Sequence, residues 1–177
     1  VPSFITFNDM RMVVVRRLKG VGIRLWDNTR EQRRSFPTRE WYPVNEALRV
    51  PATYIRYDTP HVVKMPDILG AIHDERMEGY VTFELGRQKH ELIVSELPDH
   101  RLYIQFMDPT NGETTYPSGR YHYTDAHENG KVFVDFNKAY NPPCAFTDYA
   151  TCTFPPQENH LKVRIEAGEY FIGHHHS

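Results

Sequence analysis

Residues 80–107 read YVTFELGRQKHELIVSELPDHRLYIQFM, and this stretch decides the fold. Two runs of β-branched and aromatic side chains, at 80–85 and 91–96, flank a short polar segment that begins with Gly86. This pattern is typical of a β-hairpin, because glycine adopts the positive φ that a tight turn requires. A third run of the same kind, at 102–107, follows a Pro-Asp turn. The stretch therefore predicts an antiparallel meander.

The rest of the chain repeats this pattern of short strands. Helical signals are confined to residues 29–35 and 44–48, and neither reaches the length of a typical globular helix. We therefore predict an all-β fold, an antiparallel meander that forms a barrel or a sandwich. One β domain is expected to span residues 1–172. Further runs bounded by turn residues predict strands at 12–18, 21–26, 52–57, 61–65 (an edge strand), 119–124, 132–136 and 161–165.

The composition is that of an ordinary globular domain. The chain has 177 residues, of which 40% are hydrophobic and 25% are charged, and it is long enough to bury a core. A formal net charge of −2 gives no basic surface of the kind that binds nucleic acid, and no apolar run has the length of a transmembrane helix. We predict no nucleic-acid partner and no membrane partner. A homodimer that pairs open edge strands is compatible with the pattern.

The two ends of the chain bear on processing rather than on the fold. The chain begins with Val1 rather than Met, as expected if an upstream piece was removed. The compartment is then undetermined, with the cytoplasm favoured. Residues 173–177 read GHHHS and are interpreted as the remnant of an affinity tag, so their histidines are set aside in metal arguments.

Residues 135–159, DFNKAYNPPCAFTDYATCTFPPQEN, form a long segment without strand or helix periodicity. Aromatic residues and both cysteines argue against disorder, because disordered segments are poor in those residues. We predict an ordered loop, stiffened by proline, that closes one end of the β fold. A plug of this kind is compatible with the wall of a ligand site, since the mouths of barrels are common ligand sites.

Cys144 and Cys152 both lie in this segment, and three states compete for them. Free thiols packed as small hydrophobic groups are favoured. A disulfide ranks second and would need an oxidising compartment. Half of a metal site ranks third, because the spacing differs from that of zinc-binding cysteine pairs and no second pair exists in the sequence.

A second polar segment, residues 108–121, joins two predicted strands and ends in Gly-Arg-Tyr. Asp108 is interpreted as a turn residue whose carboxylate accepts nearby backbone N–H groups. For Arg120 two roles compete at even odds. It is either part of the structure of a hairpin loop, or the rim of a pocket in which its guanidinium binds a carboxylate or phosphate.

Together the two segments resemble a known family. The sequences FMDPTNGETTYPSGRYHY and VFVDFNKAYNPPCAFTDYATCTFPPQENHLKVRIEAGE resemble the signature half of the bacterial and archaeal family called domain of unknown function 1684. Weaker similarity upstream, in LWDNTREQRRSF, REWYPVNEALRVPATYIRYD and VTFELGRQKHELIVSE, extends the resemblance to nearly the whole chain. Members commonly carry an additional N-terminal segment, which the resemblance implies is missing here.

The resemblance implies a set of positions rather than a chemistry, because the family name assigns no activity. On the first segment the positions are Asp108, Thr110, Thr115, Tyr116, Gly119, Arg120 and Tyr121. On the second segment they are Asp135, Asn137, Tyr140, Asn141, Cys144, Tyr149 and Cys152.

We expect a small-molecule-binding protein whose polar and aromatic pocket is formed by residues 108–121 and 135–159. One alternative is a hydrolase- or lyase-type enzyme that uses the same pocket, with Asp135 or Cys144 as the catalytic group. Another is a structural or interaction domain without a small ligand. The residues expected to bind the ligand are Tyr116, Arg120, Tyr121, Asn137, Tyr140, Asn141 and Tyr149.

Three catalytic or metal-binding arrangements are disfavoured by the sequence. Cys144 as a nucleophile needs a base, and the nearest candidate is His122 on a predicted strand. A carboxylate pair of Asp108 and Asp135 would suit acid–base chemistry, but aspartates near turns are usually structural. No metal site is predicted, and no cofactor is assigned. The set weighed for a metal was His122, Asp125, His127 and Glu128, which is interpreted instead as a solvated hairpin.

Overall fold

The computed structural model describes residues 3–17, 20–36 and 38–171. It is mostly β, with antiparallel sheets, which confirms the predicted fold class. The chain divides into two compact units, Val1–Thr38 and Arg39–Ser177, where the sequence pattern predicted one β domain over residues 1–172. Among the described residues, no helix has the length and apolar character needed to cross a membrane.

The first unit is a three-stranded antiparallel sheet followed by one turn of helix. Its strands are β1 (Ile5–Phe7), β2 (Met10–Arg17) and β3 (Gly20–Asp27), in the order β1-β2-β3. The helix α1 is Glu31–Arg34, as short as the sequence predicted. The reversal predicted at Lys19-Gly20 lies partly outside the described residues.

The second unit is a six-stranded antiparallel sheet in the order β8-β7-β6-β5-β4-β9. The two end strands, β8 and β9, approach each other, so the sheet is barrel-like and nearly closed. Among the described residues no ladder joins these two strands. The strands are β4 (Arg49–Pro66), β5 (Ile72–Leu85), β6 (Gln88–Glu96), β7 (Arg101–Phe106), β8 (Arg120–Ala126) and β9 (Lys131–Asp135).

The hairpin and meander that decide the fold lie where the sequence predicted them. Gly86 and Arg87 both have positive φ, 60° and 64°, which is the two-residue turn that matches the twist of paired strands. In β7, Leu102, Ile104 and Phe106 are fully buried, so the apolar alternation of this strand does mark its core face.

Two strand predictions need correction. The runs 52–57 and 61–65 are one continuous strand, β4, with a register shift between Arg56 and His61. The predicted strand 161–165 is wrong. Leu161 and Ile165 are buried as an alternating strand requires, but the Ile165 N–H donates to a carboxylate oxygen of Asp108 (2.8 Å). The Ile165 carbonyl accepts from the Arg120 side chain, and the Leu161 N–H donates to the Met107 carbonyl, so these backbone groups are satisfied one by one rather than in a ladder.

The segment 135–159, predicted as an ordered loop, contains single 3₁₀ turns at Phe136–Lys138, Pro143–Ala145 and Gln157–Asn159. It packs along several strands. The Tyr140 backbone exchanges two hydrogen bonds of 2.9 Å with Tyr121 on the edge strand β8. Farther along, the Ile68 N–H donates to the Cys152 carbonyl (3.1 Å), just after β4. The segment therefore connects the edge strand β8 to the chain that follows β4.

Candidate functional site

Arg120 on β8 is fully buried and bonded to protein groups on several sides. Its guanidinium donates to Asp108 Oδ1 (2.8 Å) and to the carbonyls of Ile165 (2.9 Å) and Ala167. The Phe106 ring lies 5.1 Å from the guanidinium carbon. This corrects the expected ligand clamp, because the donors that would hold an anionic ligand already hold the chain's own carboxylate and carbonyls.

Asp135 and Asn137 form a structural turn. Asp135 Oδ1 accepts from the backbone N–H and the side-chain amide of Asn137, at 3.2 Å and 2.9 Å. The Asn137 amide also exchanges two hydrogen bonds of 2.9 Å with the backbone of Asn45. The amide of Asn137 is therefore used within the fold. Asp135 belongs to this turn while Asp108 belongs to the Arg120 ion pair, so the weighed carboxylate pair is not assembled.

Asn141 belongs to a third structural network. Its backbone N–H donates to the buried carboxylate of Glu169 (2.8 Å), which is also held by both sides of the Arg39 guanidinium at 2.7 Å and 2.6 Å. The Asn141 amide donates to the Tyr170 carbonyl (2.8 Å). The side-chain oxygen of Asn141, Oδ1, is buried and has no hydrogen-bond partner among the described residues. This oxygen can therefore still accept a hydrogen bond.

The segments 108–121 and 135–159 meet closely, and Gly119 is required for that approach. Gly119 has φ of 91°, and a Cβ atom there would lie 2.5 Å from Cγ of Pro155 and 2.8 Å from the Phe106 carbonyl oxygen. Any larger residue would push the two segments apart. The Tyr121 hydroxyl, two residues later, donates to the Thr153 carbonyl (2.8 Å) and closes the same junction.

At this junction lies a group of buried and half-buried aromatic and thiol side chains, which we call the tyrosine–thiol cluster. The rings of Tyr103 and Tyr121 lie 5.6 Å apart, and those of Tyr121 and Tyr140 lie 6.1 Å apart. Burial raises the pKa of each of these tyrosines, so their hydroxyls stay protonated near neutral pH. The cluster consists of Tyr103, Tyr116, Tyr121, Tyr140, Cys144 and Cys152.

The two cysteines are free thiols in direct contact. The Cys144 backbone N–H donates to Cys152 Sγ (3.2 Å). The Cys152 thiol hydrogen-bonds to the Cys144 sulfur, and the Tyr116 hydroxyl makes a second such bond. Burial alone would raise the pKa of Cys144, but these hydrogen bonds outweigh it and lower the pKa from 9.0 to about 7. The same hydrogen bond, together with burial, raises the pKa of Cys152. One thiol of the pair is therefore partly ionised at neutral pH while the other remains protonated.

His122 does not act as a base for Cys144. It is buried on β8, and neither ring nitrogen has a hydrogen-bond partner among the described residues. Burial lowers the pKa of His122 to about 4. Activation of Cys144 therefore rests on hydrogen-bond donors, Cys152 and Tyr116, rather than on a histidine.

Tyr149 lies outside the cluster, with 76% of its surface exposed, so it does not share a pocket with the other expected ligand residues. An open groove of about 690 Å³ lies elsewhere, where β8 and β9 approach each other. Its lining includes Pro51 on β4, Asp125 on β8 and Phe133 on β9. The sequence pattern did not predict this groove.

Comparison with known proteins places the chain in a family. Residues 34–170 match the family described as Protein of unknown function (DUF1684). The chain belongs to the DUF1684 family. The chain is similar to the solution NMR structure of an uncharacterized protein of Haloarcula marismortui, with 26% identity and a TM-score of 0.63. That match covers 79% of this chain and 80% of the other. No curated protein matched.

Sequence reasoning on this DUF1684 chain also missed a cluster of metal-ligand side chains. The four residues considered as metal ligands from the sequence, His122, Asp125, His127 and Glu128, do not form one site. The ring nitrogens of His122 are buried without a hydrogen-bond partner among the described residues. Instead His127 lies beside Glu96 and His100. The separation of four residues between Glu96 and His100, across a turn, was the only available signal. Nothing in the sequence joins them to residue 127.

Proposed function

We propose that this protein binds a small molecule at the tyrosine–thiol cluster, where residues 108–121 and 135–159 meet. The observation that carries this proposal is the gathering of four tyrosine rings and two thiols in one patch of buried and half-buried side chains, none of which belongs to the main hydrophobic core cluster. Of the residues expected to bind a ligand, Tyr116, Tyr121 and Tyr140 belong to this patch. Arg120 and Asn137, also expected to bind a ligand, are bonded instead to Asp108 and Asn45 within the fold.

The chemistry of the cluster favours a flat, largely apolar molecule with a hydrogen-bond acceptor. Tyrosine rings offer broad contact area at low entropic cost, and a protonated hydroxyl that is not already bonded within the fold, as that of Tyr121 is to Thr153, donates a hydrogen bond at the ring edge. The Tyr103, Tyr121 and Tyr140 rings meet at steep angles, 81° and 86°, which leaves both ring faces and ring edges in the patch.

A second candidate function is thiol chemistry in the same place, by a hydrolase- or lyase-type enzyme. The specific observation in its favour is the Cys144–Cys152 contact, because an ionised thiol is the nucleophilic form and Cys144 is partly ionised near neutral pH. In this proposal the Cys144 thiolate adds to the carbonyl carbon of a bound ester or amide, and the carbon–oxygen or carbon–nitrogen bond to the leaving group breaks to give a thioester. The leaving group departs with a proton from Tyr116 or Cys152, and water then hydrolyses the thioester, which restores the thiol and returns the proton.

A third candidate, an interaction domain, is favoured by one face of the first unit. Val14 pairs with Ile23 across β2 and β3, and directly paired residues project to the same face. Ile5 and Leu25 both pair with Met12, two residues from Val14, and so lie on that face. All four are exposed, and contiguous apolar surface of this kind marks interaction sites.

Native and denaturing mass spectra of the purified protein test the three candidates together. The binding proposal predicts a mass excess under native conditions that is lost in Tyr140→Ala and retained in Tyr149→Ala. The second variant is the matched control, because Tyr149 lies on the same segment but is exposed. An excess on Cys144 that survives denaturation favours the thiol enzyme. A dimer without any excess favours the interaction domain, and an excess unaffected by Tyr140→Ala contradicts the proposed site.

The rate of iodoacetamide alkylation as a function of pH tests the thiol environment directly. Alkylation of Cys144 is expected to follow an inflection near pH 7, because the thiolate is the reacting form. Tyr116→Phe removes a donor to that thiolate, so the inflection should move to higher pH and the rate at neutral pH should fall. Tyr149→Phe should change neither. An inflection near 9.0 in the unsubstituted protein would contradict this description of Cys144.

A further inference from the structure

Three residues that are far apart in sequence converge at the end of the barrel-like sheet. Glu96 is the last residue of β6, His100 lies in the turn before β7, and His127 follows β8. A single oxygen of Glu96 faces both histidines, at 2.9 Å from His100 Nδ1 and 3.1 Å from His127 Nε2. The three ligand atoms lie within 4.8 Å of one another.

The carboxylate of Glu96 is held in place by groups other than the histidines. It is nearly buried, and its second oxygen accepts from the Tyr54 hydroxyl (3.1 Å) and faces the Arg56 guanidinium (3.4 Å). The ring of His127 packs against Tyr54, with centroids 4.9 Å apart. Two of the three ligand groups, Glu96 and His127, are therefore fixed before any ion arrives.

We propose that Glu96, His100 and His127 form a binding site for a divalent transition metal ion of the zinc type. Two imidazole nitrogens and one carboxylate oxygen are a donor set that zinc prefers, and three protein ligands leave a fourth position open. In a tetrahedral site, ligand atoms about 2.0–2.1 Å from the ion lie roughly 3.3 Å from each other. The two contacts of Glu96 with the histidines, 2.9 Å and 3.1 Å, need to widen by only a few tenths of an ångström, while the two histidine nitrogens, which lie within 4.8 Å of each other, move to the same spacing by rotation of the exposed His100 side chain.

Two of the three proposed ligands, Glu96 and His100, border a surface cavity of about 270 Å³. This cavity is lined by Glu96 and His100 together with Arg56, Arg76 and Glu78. The two arginines are largely exposed, so their guanidinium groups can reorient towards a ligand. A small carboxylate or phosphate that binds the metal would meet Arg56 on its other side. The site thus suits a metal-bound anion, independently of the tyrosine–thiol cluster.

Zinc titration by calorimetry tests the proposal. All proteins compared carry alanine at His174, His175 and His176, because a histidine run binds zinc by itself. One zinc ion per chain is expected. Substitution His100→Gln should weaken binding by at least about tenfold. Since the His100 side chain is 66% exposed, this substitution removes a ligand without disturbing the core.

Two further variants make the test specific. His127→Gln should weaken zinc binding as strongly as His100→Gln does, whereas His61→Gln, which replaces an exposed histidine stacked on Tyr57 on β4, should leave it unchanged. Cobalt(II) added to the same protein should give the intense visible absorption of a four-coordinate ion. The proposal is overturned if zinc does not bind, or if it binds equally well in His100→Gln and His127→Gln.

Discussion

At the scale of single residues, the most consequential contact is the buried ion pair of Arg120 and Asp108. Both side chains are fully buried. The remaining Asp108 oxygen accepts from the backbone N–H groups of Thr110 (3.1 Å) and Ile165 (2.8 Å). Burying two charges is costly, and the cost is offset only when hydrogen bonds satisfy both partners, as they largely do here. The pair therefore fixes residues 108–121 against the C-terminal segment.

Arg120→Met is expected to lower the free energy of unfolding by about 3–5 kcal/mol, because it leaves the Asp108 carboxylate buried without its counter-charge. Urea denaturation measures this loss. Lys64→Met is the matched control, since it removes an exposed ion pair with Asp74 and should cost no more than about 1 kcal/mol. Unchanged stability of Arg120→Met, combined with loss of ligand binding, would restore the role of a ligand clamp.

Arg120 also marks the limit of what the sequence predicts at this scale. An arginine at the start of a strand, preceded by Gly119, predicts a residue that either stabilises the loop or binds a ligand. It does not identify the direction of the guanidinium, which depends on partners at Ile165 and Ala167, more than forty residues away. The same holds for Asn137 and Asn141, because their partners at Asn45 and Tyr170 are set by the tertiary fold and leave no local signal.

At the scale of elements, Asn159 replaces part of a β ladder. Strands β6 and β7 pair through two residue pairs, Ser95 with Tyr103 and Glu96 with Leu102. Beyond them the side chain of Asn159 bridges the strands. It accepts from the Ile93 N–H (2.7 Å) and donates to the carbonyls of Ile93 (2.9 Å) and Gln105 (2.8 Å). One buried amide thus satisfies three backbone groups that a ladder would otherwise pair.

Asn159→Ala should destabilise the protein by about 3 kcal/mol or more, because it leaves buried backbone groups on both β6 and β7 without hydrogen-bond partners. The amide of Ile93 should also exchange its hydrogen much faster in this variant, as measured by NMR. Gln157→Ala, an exposed change in the same 3₁₀ turn, should stay within about 0.5 kcal/mol of the unsubstituted protein. Slow exchange at Ile93 in Asn159→Ala would show that the strands can pair without the bridge.

The elements themselves were largely predictable, and their exceptions have a common cause. Alternation and turn residues located the hairpin at Gly86 and the strand 102–107, because local pattern and tertiary burial agree there. The run 161–165 has the same alternation, yet its backbone bonds to side chains, among them Asp108. Alternation records which side chains are buried and not which groups pair with the backbone.

At the scale of the whole molecule, the candidate sites follow the topology of the six-stranded sheet. The tyrosine–thiol cluster forms where the segment 135–159 packs on the edge strand β8. The proposed metal site forms where the end of β6, the turn before β7 and the residue after β8 meet. The sequence could predict the first site, because its two segments carry a family pattern. The second depends on strand order, which no local pattern encodes.

The stability of the protein at acidic pH tests whether the interior of the second unit excludes water around His122. Burial lowers its pKa from 6.5 to about 4, with Asp135, Lys138 and Asp125 as the nearest charges. Between these values the unfolded chain binds a proton at this position and the folded chain does not. Stability should therefore decrease as the pH falls from 6.5 to about 4. The difference of 2.5 units (6.5 − 4) corresponds to about 3 kcal/mol.

Urea denaturation across this pH range, compared between the unsubstituted protein and His122→Leu, isolates the effect. The variant has no titrating group at this position, so its stability should change much less between pH 6.5 and 4. Carboxylates do not produce the same slope. The pKa of Glu96 is lowered from 4.5 and that of Asp67 from 3.8, so the stabilisation from each carboxylate begins to fall only as the pH drops through these values, at the acidic end of the range. Equal slopes in the two proteins would mean that His122 is solvated in the folded state, and that the interior beneath β8 is open to water.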